Sequence, residues 1–276
     1  MFGIIDFVID VYIIFFILRL ALEPRQFYFN PMLQPIRKAT EVFMKPLRTV
    51  FKPTSKGFDY TPFFGILILV FLRSCIIYLL VHQYGGFTSS LFDSSIKLLN
   101  FVFQVFVVLE IMSIFIYRTT VNPIGRFVYQ VLEPVNRPLE KLFPRLRNWI
   151  ILPAIILLVL LHVIVIYSLS KILGLSYSLP FTIHYSLIEL IAVIRFFYII
   201  IIIGALMSWI SPDPGNPIVQ IIHQIMEPML RPVRKFIPTI GGIDFSPIIV
   251  IFALVYLHQF LQIFIDQIFF QGMLNF

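Results

Sequence analysis

The chain has few charged residues for its length. Only 13% of its 276 residues are Asp, Glu, Lys or Arg, whereas 59% are hydrophobic; ordinary soluble domains carry about 25% charged residues. So few charges cannot cover a water-exposed surface, which excludes a soluble globular protein. Several stretches approach the roughly 20 apolar residues that cross a bilayer. The composition therefore predicts an all-α polytopic membrane protein.

Cysteine is almost absent as well, because Cys75 is the only one. A single thiol excludes an intrachain disulfide and a cysteine-based metal cluster. The sequence also lacks the HExxH, Gly-rich phosphate-loop and GxSxG patterns that mark common catalytic sites. We therefore expect a protein that is not an enzyme and that holds neither a metal nor a cofactor.

What the sequence does contain is a series of long apolar runs. Six of them are predicted to span the membrane, at 2–22, 62–81, 99–117, 150–169, 189–210 and 247–268. The first run has no basic leader before Arg19 and no small-residue cleavage site, which favours a retained span over a signal peptide. Most of the Lys and Arg lie in the three long connections. The positive-inside rule then places these connections in the cytoplasm and both termini outside.

Three parts of the chain repeat one pattern at fixed spacing. Each has an Asn-Pro pair, a glutamate eleven residues after the asparagine and a proline sixteen residues after it. The residues are Asn30, Glu41 and Pro46; Asn122, Glu133 and Pro138; and Asn216, Glu227 and Pro232. We name these parts the first segment (1–85), the middle segment (99–170) and the last segment (188–270). They predict three parallel two-span repeats within one integral membrane domain, placed around a pseudo-threefold axis or side by side.

The stretch 216–238 predicts an amphipathic helix between two spans. Its apolar residues recur at helical spacing, and Asn216 and Pro217 suit the N-cap and the first turn. We expect the helix to lie in the membrane interface with its apolar side down; a cytoplasmic hairpin packed on protein is the alternative. Pro228 and Pro232 are expected to bend or break it, leaving a second short basic helix. The basic residues of the stretch are Arg231, Arg234 and Lys235.

Ionisable residues inside the predicted spans form a candidate polar layer, since each costs about 2.5–3.5 kcal/mol at mid-bilayer. Asp10 and Arg195 occupy similar depths, so we expect them to pair or to face one cavity. The layer most simply ties the helices together. A hydrated ion or proton path and haem binding by histidine are the alternatives. Its members are Asp10, Arg73, Glu110, His162, Arg195 and His258.

The residues that follow the last amphipathic stretch complete a recognisable motif. Asp244 and Ser246 precede Pro247 and are expected to cap the last span, with a ligand role as the second interpretation. The sequence of 208–257 joins Asn-Pro, Glu-Pro-x-Leu-x-Pro-x-Arg, Ile-Pro and Gly-Gly-x-Asp-x-Ser-Pro to an apolar run. This combination resembles the YggT family, also called YlmG. In the first segment "GFDYTP" stands where the last has "GIDFSP", whereas in the middle segment "NWIILP" replaces the Asp and Ser.

The resemblance implies a protein of the bacterial inner membrane or of plastid membranes. It further implies roles in osmotic tolerance, cell division or envelope organisation, and in plastid relatives cytochrome b maturation and nucleoid distribution. No enzymatic activity is established for the family. Family members carry one or two such units, so three in one chain is a departure.

Two functions are consistent with these features. The first is a scaffold or assembly factor of the inner membrane, whose basic interfacial helices contact anionic headgroups or an unidentified membrane-protein partner. The second is an ion channel or transport component with an osmotic role. The net charge of +7 also raises nucleic-acid binding, which we reject because the basic residues alternate with apolar ones beside predicted spans.

Overall fold

The computed structural model describes residues 2–21, 34–51, 59–81, 86–116, 123–145, 150–210, 215–237 and 244–274. These ranges contain helices and no β-strand. The helices, numbered here in chain order, are α1 Phe2–Ala21, α2 Gln34–Val50, α3 Thr61–Val81, α4 Gly86–Phe115, α5 Pro123–Leu142, α6 Ile151–Ile172, α7 Leu179–Ala192, α8 Ile194–Ile210, α9 Pro217–Arg234 and α10 Ser246–Leu274.

Five helical stretches are long and apolar enough to cross a membrane. They are Thr61–Leu79, Gly86–Phe115, Ile151–Ile172, Leu179–Met207 and Ser246–Phe269. These correspond to five of the six predicted spans, so the expectation of a helical membrane protein is confirmed. Helix α1 covers the remaining run over 20 residues, and its crossing of the membrane stays a prediction.

Helix α4 is longer than the span predicted at 99–117. It begins at Gly86, whose φ of 75° suits a residue without a side chain. The serines and charges near this end lower its hydropathy, so the apolar pattern did not predict this first part of the helix. The hydroxyl of Ser95 donates to the carbonyl of Leu91 at 2.7 Å, so polar side chains are satisfied within the helix itself. Lys97, expected in a connection, therefore lies on α4.

The span predicted at 189–210 is divided into α7 and α8 at Val193. The first of these helices is capped by Ser178, whose hydroxyl accepts from the amide of Phe181 at 3.3 Å. At the division, Nε of Arg195 lies 3.4 Å from the carbonyl oxygen of Ala192. A charged donor thus reaches a backbone carbonyl at the point where the regular helix is interrupted.

The chain forms two compact units. The N-terminal unit comprises Met1–Leu98 and Ile172–Leu175, and the C-terminal unit comprises Leu99–Lys171 and Ser176–Phe276. The N-terminal unit packs α1, α2 and α3 around one apolar core. Its buried residues are Ile9, Ile13, Phe16, Met44, Ile66, Leu69 and Val70.

The largest apolar core of the C-terminal unit is formed by side chains of α4, α5, α6, α8 and α9. Val107, Leu132 and Ile225 lie at its centre, each at most 1% exposed. Gly204 of α8 permits a close approach to α9, because a Cβ there would meet the Met226 sulfur at 2.5 Å. The unit therefore packs α9 tightly against α8.

Helix α9 passes through its prolines without interruption. It runs from Pro217 to Arg234 and includes Pro228 and Pro232, so the predicted second short helix is wrong. Met226 and Leu230 are buried on the two sides of Pro228. Their packing offsets the roughly 3 kcal/mol that an interior proline costs a helix. A bend at these prolines stays a prediction.

The prolines of the other two segments lie inside helices as well. Pro46 lies in α2, and Pro134 and Pro138 lie in α5. The predicted N-cap of α9 is confirmed, because the Asn216 side chain accepts from the amide of Ile218 at 2.9 Å. The two corresponding asparagines, Asn30 and Asn122, lie outside the described residues.

Candidate functional site

An arginine in the last segment joins α9 to the start of α10. Nη1 of Arg234 lies 2.6 Å from Glu227 Oε2 on the same helix, and its Nε lies 2.8 Å from Asp244 Oδ2. The other oxygen of Asp244 accepts from the backbone amide of Ser246 at 2.9 Å, at the first residue of α10. The predicted capping by Asp244 is therefore confirmed, whereas Ser246, expected to share this role, is itself the first residue of α10. The same carboxylate also receives the arginine, which the sequence analysis did not foresee.

The first segment builds the same arrangement from its own residues. Nη1 of Arg48 lies 2.5 Å from Glu41 Oε1, and its Nη2 lies 2.8 Å from Asp59 Oδ2. Asp59 Oδ1 accepts from the amide of Thr61 at 2.9 Å, at the first residue of α3. In both segments the arginine follows the glutamate by seven residues. We call Glu41–Arg48–Asp59 and Glu227–Arg234–Asp244 the clamps.

Each clamp fixes the charges of its members. Burial by itself raises the pKa of Asp59, but hydrogen bonds from Thr61 and the nearby Arg48 outweigh it and lower that pKa below its usual range. The pKa of Asp244 is lowered in the same way, because bonds from Ser246 and Arg234 outweigh its burial. Both carboxylates are therefore ionised at neutral pH. This supplies the negative charge that the arginines require.

In the first segment the clamp extends to a third helix. Nη2 of Arg19, on α1, lies 2.9 Å from the second oxygen of Glu41, and the Arg19 side chain is only 7% exposed. Glu41 thus accepts from two arginines, one on each oxygen. The network ties α1, α2 and the start of α3 together, whereas the clamp of the last segment joins two helices.

The middle segment contains no such clamp in its described part. Glu140 stands seven residues after Glu133, and Glu133 pairs with Arg137 at 3.3 Å on an exposed surface. Helix α5 is joined to the preceding span instead: Nδ2 of Asn136 lies 3.4 Å from Oε2 of the fully buried Glu110 on α4. The loss of the Asp and Ser at "NWIILP" thus coincides with a different attachment of the helix.

A family model described as CCB3/YggT matches residues 1–80 and 184–265, which is more than half of the chain. This chain belongs to the CCB3/YggT family. Both matched regions contain a complete clamp, whereas the middle segment lies outside them. The clamps therefore lie in the parts of the chain that carry the family likeness.

Three relatives of the CCB3/YggT chain illustrate the likeness. An uncharacterized protein of Haemophilus influenzae is 32% identical over 142 residues, which are 51% of this chain and 74% of that protein. An uncharacterized protein of Pseudomonas aeruginosa is 31% identical over 137 residues, 48% of this chain and 68% of that one. The uncharacterized protein YggT of Escherichia coli K12 is 30% identical over 135 residues, 48% and 69% of the two chains. No solved structure matches.

The predicted polar layer of this YggT-family chain contains separate groups. Asp10 does not pair with Arg195 as expected. It pairs with Arg73 of α3, which is 1% exposed and also lies 3.0 Å from Asp6. Lys97 Nζ completes the group at 2.5 Å from Asp6. The predicted pair is wrong because matching positions in two repeats indicate similar depth and not contact, whereas α1 packs against α3 of its own segment. A cavity shared by Asp10 and Arg195 stays a prediction.

In the C-terminal unit, His162 lies within a group of uncharged side chains. Its Nδ1 is 3.0 Å from Ser186 Oγ, and its Nε2 is 3.1 Å from Asn100 Oδ1. The ring of Phe103 stacks on the imidazole at 4.3 Å between centroids. Both ring nitrogens thus face protein oxygens. This suits a histidine that links α4, α6 and α7 by hydrogen bonds.

The other members of the predicted layer have their own surroundings. Glu110 contacts Asn136, and Arg195 interacts electrostatically with His258. The partners Asp6, Asn100 and Asn136 were not predicted from the sequence. Asp6 carried a usable signal, because it precedes Asp10 by one helical turn. Asn100 and Asn136 are uncharged, and a search for ionisable residues does not find them.

Proposed function

We propose that this chain is a non-enzymatic scaffold of the bacterial inner membrane. In this proposal six spans form three parallel two-span repeats with both termini outside. They present α2, α5 and α9 as amphipathic helices at the cytoplasmic surface. The exposed cations of these helices bind anionic lipid headgroups and organise the membrane at that face. Membership of the CCB3/YggT family is compatible with this role, since its matched relatives are uncharacterized.

The observation that carries the proposal is the clamp, which occurs twice with the same residue types joined in the same order. It uses one arginine of each helix to hold that helix to the next span. Neighbouring cations are left exposed, among them Lys45 on α2 and Arg231 and Lys235 at the end of α9. A helix held in place in this way presents its exposed cations at a fixed height relative to the membrane. Arg231, one of these cations, also lies 3.8 Å from Glu227 Oε1.

Apolar side chains lie beside these exposed cations. Phe236 is 85% exposed next to Lys235, and Val42 is 72% exposed near Lys45. Side chains of this kind enter the acyl boundary while adjacent cations meet headgroups, as in helices that lie in the interface. A surface facing only water would leave this apolar area unfavourably hydrated.

The test removes the exposed cations and keeps the clamp. Arg231→Gln with Lys235→Gln should weaken retention of phosphatidylglycerol about tenfold or more, since each cation near an anionic surface contributes about 1 kcal/mol. Retained lipid is measured by native mass spectrometry after extraction from vesicles of phosphatidylglycerol and phosphatidylcholine. Arg234 is left intact, because its loss would break the clamp and confuse binding with stability.

Lys171 offers a matched control. It is exposed at the end of α6, on the predicted outer face, so Lys171→Gln should leave lipid retention unchanged. Equal retention by the double variant and the native chain would contradict lipid binding. Loss of a cross-linked membrane protein with unchanged lipid retention would point to the protein partner instead.

A second candidate, an ion-conducting protein with an osmotic role, is favoured by the charged group around Arg73. Four ionisable side chains lie together there on three helices, and charges within spans commonly mark ion pathways. Reconstituted protein should then conduct, and conductance should fall in Arg73→Leu or Glu110→Gln. Silent bilayers across voltage, tension and pH would eliminate this candidate.

A further inference from the structure

Helix α10 is the least covered of the five candidate spans. Only 6% of the residues in its apolar stretch are buried, compared with 28–39% in the other four. Lipid alone would explain a purely apolar exposed surface. This surface, however, also carries three exposed amides: Gln259 and Gln262 within the span, and Gln267 near its far end.

Gln259 and Gln262 lie within the length of α10 that the hydrocarbon core covers. At about 1.5 Å per residue, Gln259 lies about 20 Å and Gln262 about 24 Å from Ser246, where α10 begins. Both distances fall within the ~30 Å hydrocarbon core. Neither amide has a hydrogen-bond partner among the described residues, and an amide left unpaired in hydrocarbon is costly.

Gln259 and Gln262 belong to a stripe along one side of α10. Its residues follow each other at alternating spacings of three and four, the repeat by which two helices pack along a seam. Asp266, at the far end, is already engaged by His184 at 2.7 Å. The stripe consists of Ile248, Phe252, Val255, Gln259, Gln262 and Asp266.

We propose that α10 of one chain packs against α10 of a second copy through this stripe. A side-chain amide is both donor and acceptor, so it can bond to an identical amide. Two copies inserted in the same orientation place Gln259 opposite Gln259 at equal depth, as a twofold interface requires. The apolar residues nearer Ser246 then pack across the same seam, and the exposed amides are satisfied within the membrane.

Cysteine cross-linking in native membranes tests the contact, because the chain has one cysteine to remove. In a Cys75→Ser background, Gln259→Cys and Gln262→Cys should give disulfide-linked dimers of the full chain on oxidation. Phe264→Cys is the matched control. Phe264 is exposed as well, at 51%, but lies on the other side of the helix.

Association measured by energy transfer between labelled chains in vesicles gives an independent readout. Replacing both glutamines with leucine, which keeps the span apolar, should weaken dimerisation about tenfold, given the modest strength of hydrogen bonds between spans. Gln262→Asn retains an amide and should preserve the dimer. Equal cross-linking at Phe264→Cys, cross-linking to a different protein, or unchanged association of the double leucine variant would each overturn the proposal.

Discussion

The first and last segments hold their helices by the same clamp around different interiors. Arg48 and Arg234 each join a glutamate seven residues earlier to an aspartate that caps the next span. Deeper in the spans the two segments differ. Arg73 of the first lies between two aspartates, whereas His258, at the corresponding position of the last, lies near Arg195.

The middle segment shares neither feature. Its helix α5 is joined to the preceding span through Asn136 and Glu110, and also through Tyr129, whose hydroxyl donates to the carbonyl of Ile116 at 3.1 Å. The comparison shows that attachment of the surface helix is the common element, whereas the polar contacts within the spans are specific to each segment. Four predictions test this difference, from the largest expected effect to the smallest.

The largest effect is expected from Arg73→Leu. Removing the buried partner of an ion pair costs up to about 3–5 kcal/mol. Asp10 loses its arginine in this variant, whereas Asp6 keeps Lys97 as a partner. His258→Leu removes the corresponding side chain of the last segment and should cost less than about 1 kcal/mol. Thermal unfolding in nanodiscs measures both. Similar losses for the two variants would show that the interiors are energetically alike.

A smaller loss is expected when a clamp is broken. Arg234→Gln removes two charged hydrogen bonds, each typically 1.5–3 kcal/mol, and partial exposure of the site reduces the expected total to about 2 kcal/mol. Arg137→Gln in the middle segment breaks an exposed pair within one helix and should cost at most about 0.5 kcal/mol. Equal unfolding temperatures for the two variants would refute the role given to the clamp.

The attachment of the middle segment should be weaker. Asn136→Leu leaves buried Glu110 without its amide partner and should lower the free energy of unfolding by about 1 kcal/mol, since the bond is long. Hydrogen exchange should increase in α5 and stay unchanged in α9. Increased exchange in both helices would mean that the effect is a general loss of stability.

The smallest effect is a dependence on acid pH. The pKa values of Asp59 and Asp244 are lowered in the folded state, so their contribution is complete above the unfolded pKa of about 3.9 and is lost as the pH falls through the folded values. Unfolding temperatures should therefore decline below about pH 4. The double variant Asp59→Asn with Asp244→Asn lacks both carboxylates, so its unfolding temperature should decline less at acid pH. The control variant Glu133→Gln keeps both carboxylates and should show the larger decline.

Much of the fold follows from local sequence patterns. The apolar runs predicted five of the spans, and Asn216 and Asp244 were correctly assigned as caps, because a cap depends on amides within two or three residues of it. The missed start of α4 and the division at Val193 have a common cause. Hydropathy averages over a window, so it does not resolve where a helix begins in polar sequence or where one is interrupted.

Only some of the clamp residues were predicted from the sequence. Glu41 and Glu227 stand at matching positions of the repeats, and Asp244 belongs to the family motif. The arginines were assigned instead to a free basic surface, because spacing along a helix does not show which charge turns toward the next span. The first and last segments carry Glu, Arg and Asp at corresponding positions. This shared pattern indicates a clamp only when the structure shows that the three side chains are in contact.

The sequence by itself determined that the chain is a helical membrane protein of the CCB3/YggT family, because apolar length and short motifs act over a few turns of one helix. Only the tertiary structure decided the partners: Arg73 with Asp10, Asn136 with Glu110, and each clamp arginine with its aspartate. Side chains inside a membrane must find compensating groups on neighbouring helices. Which neighbour supplies them is set by how the helices pack.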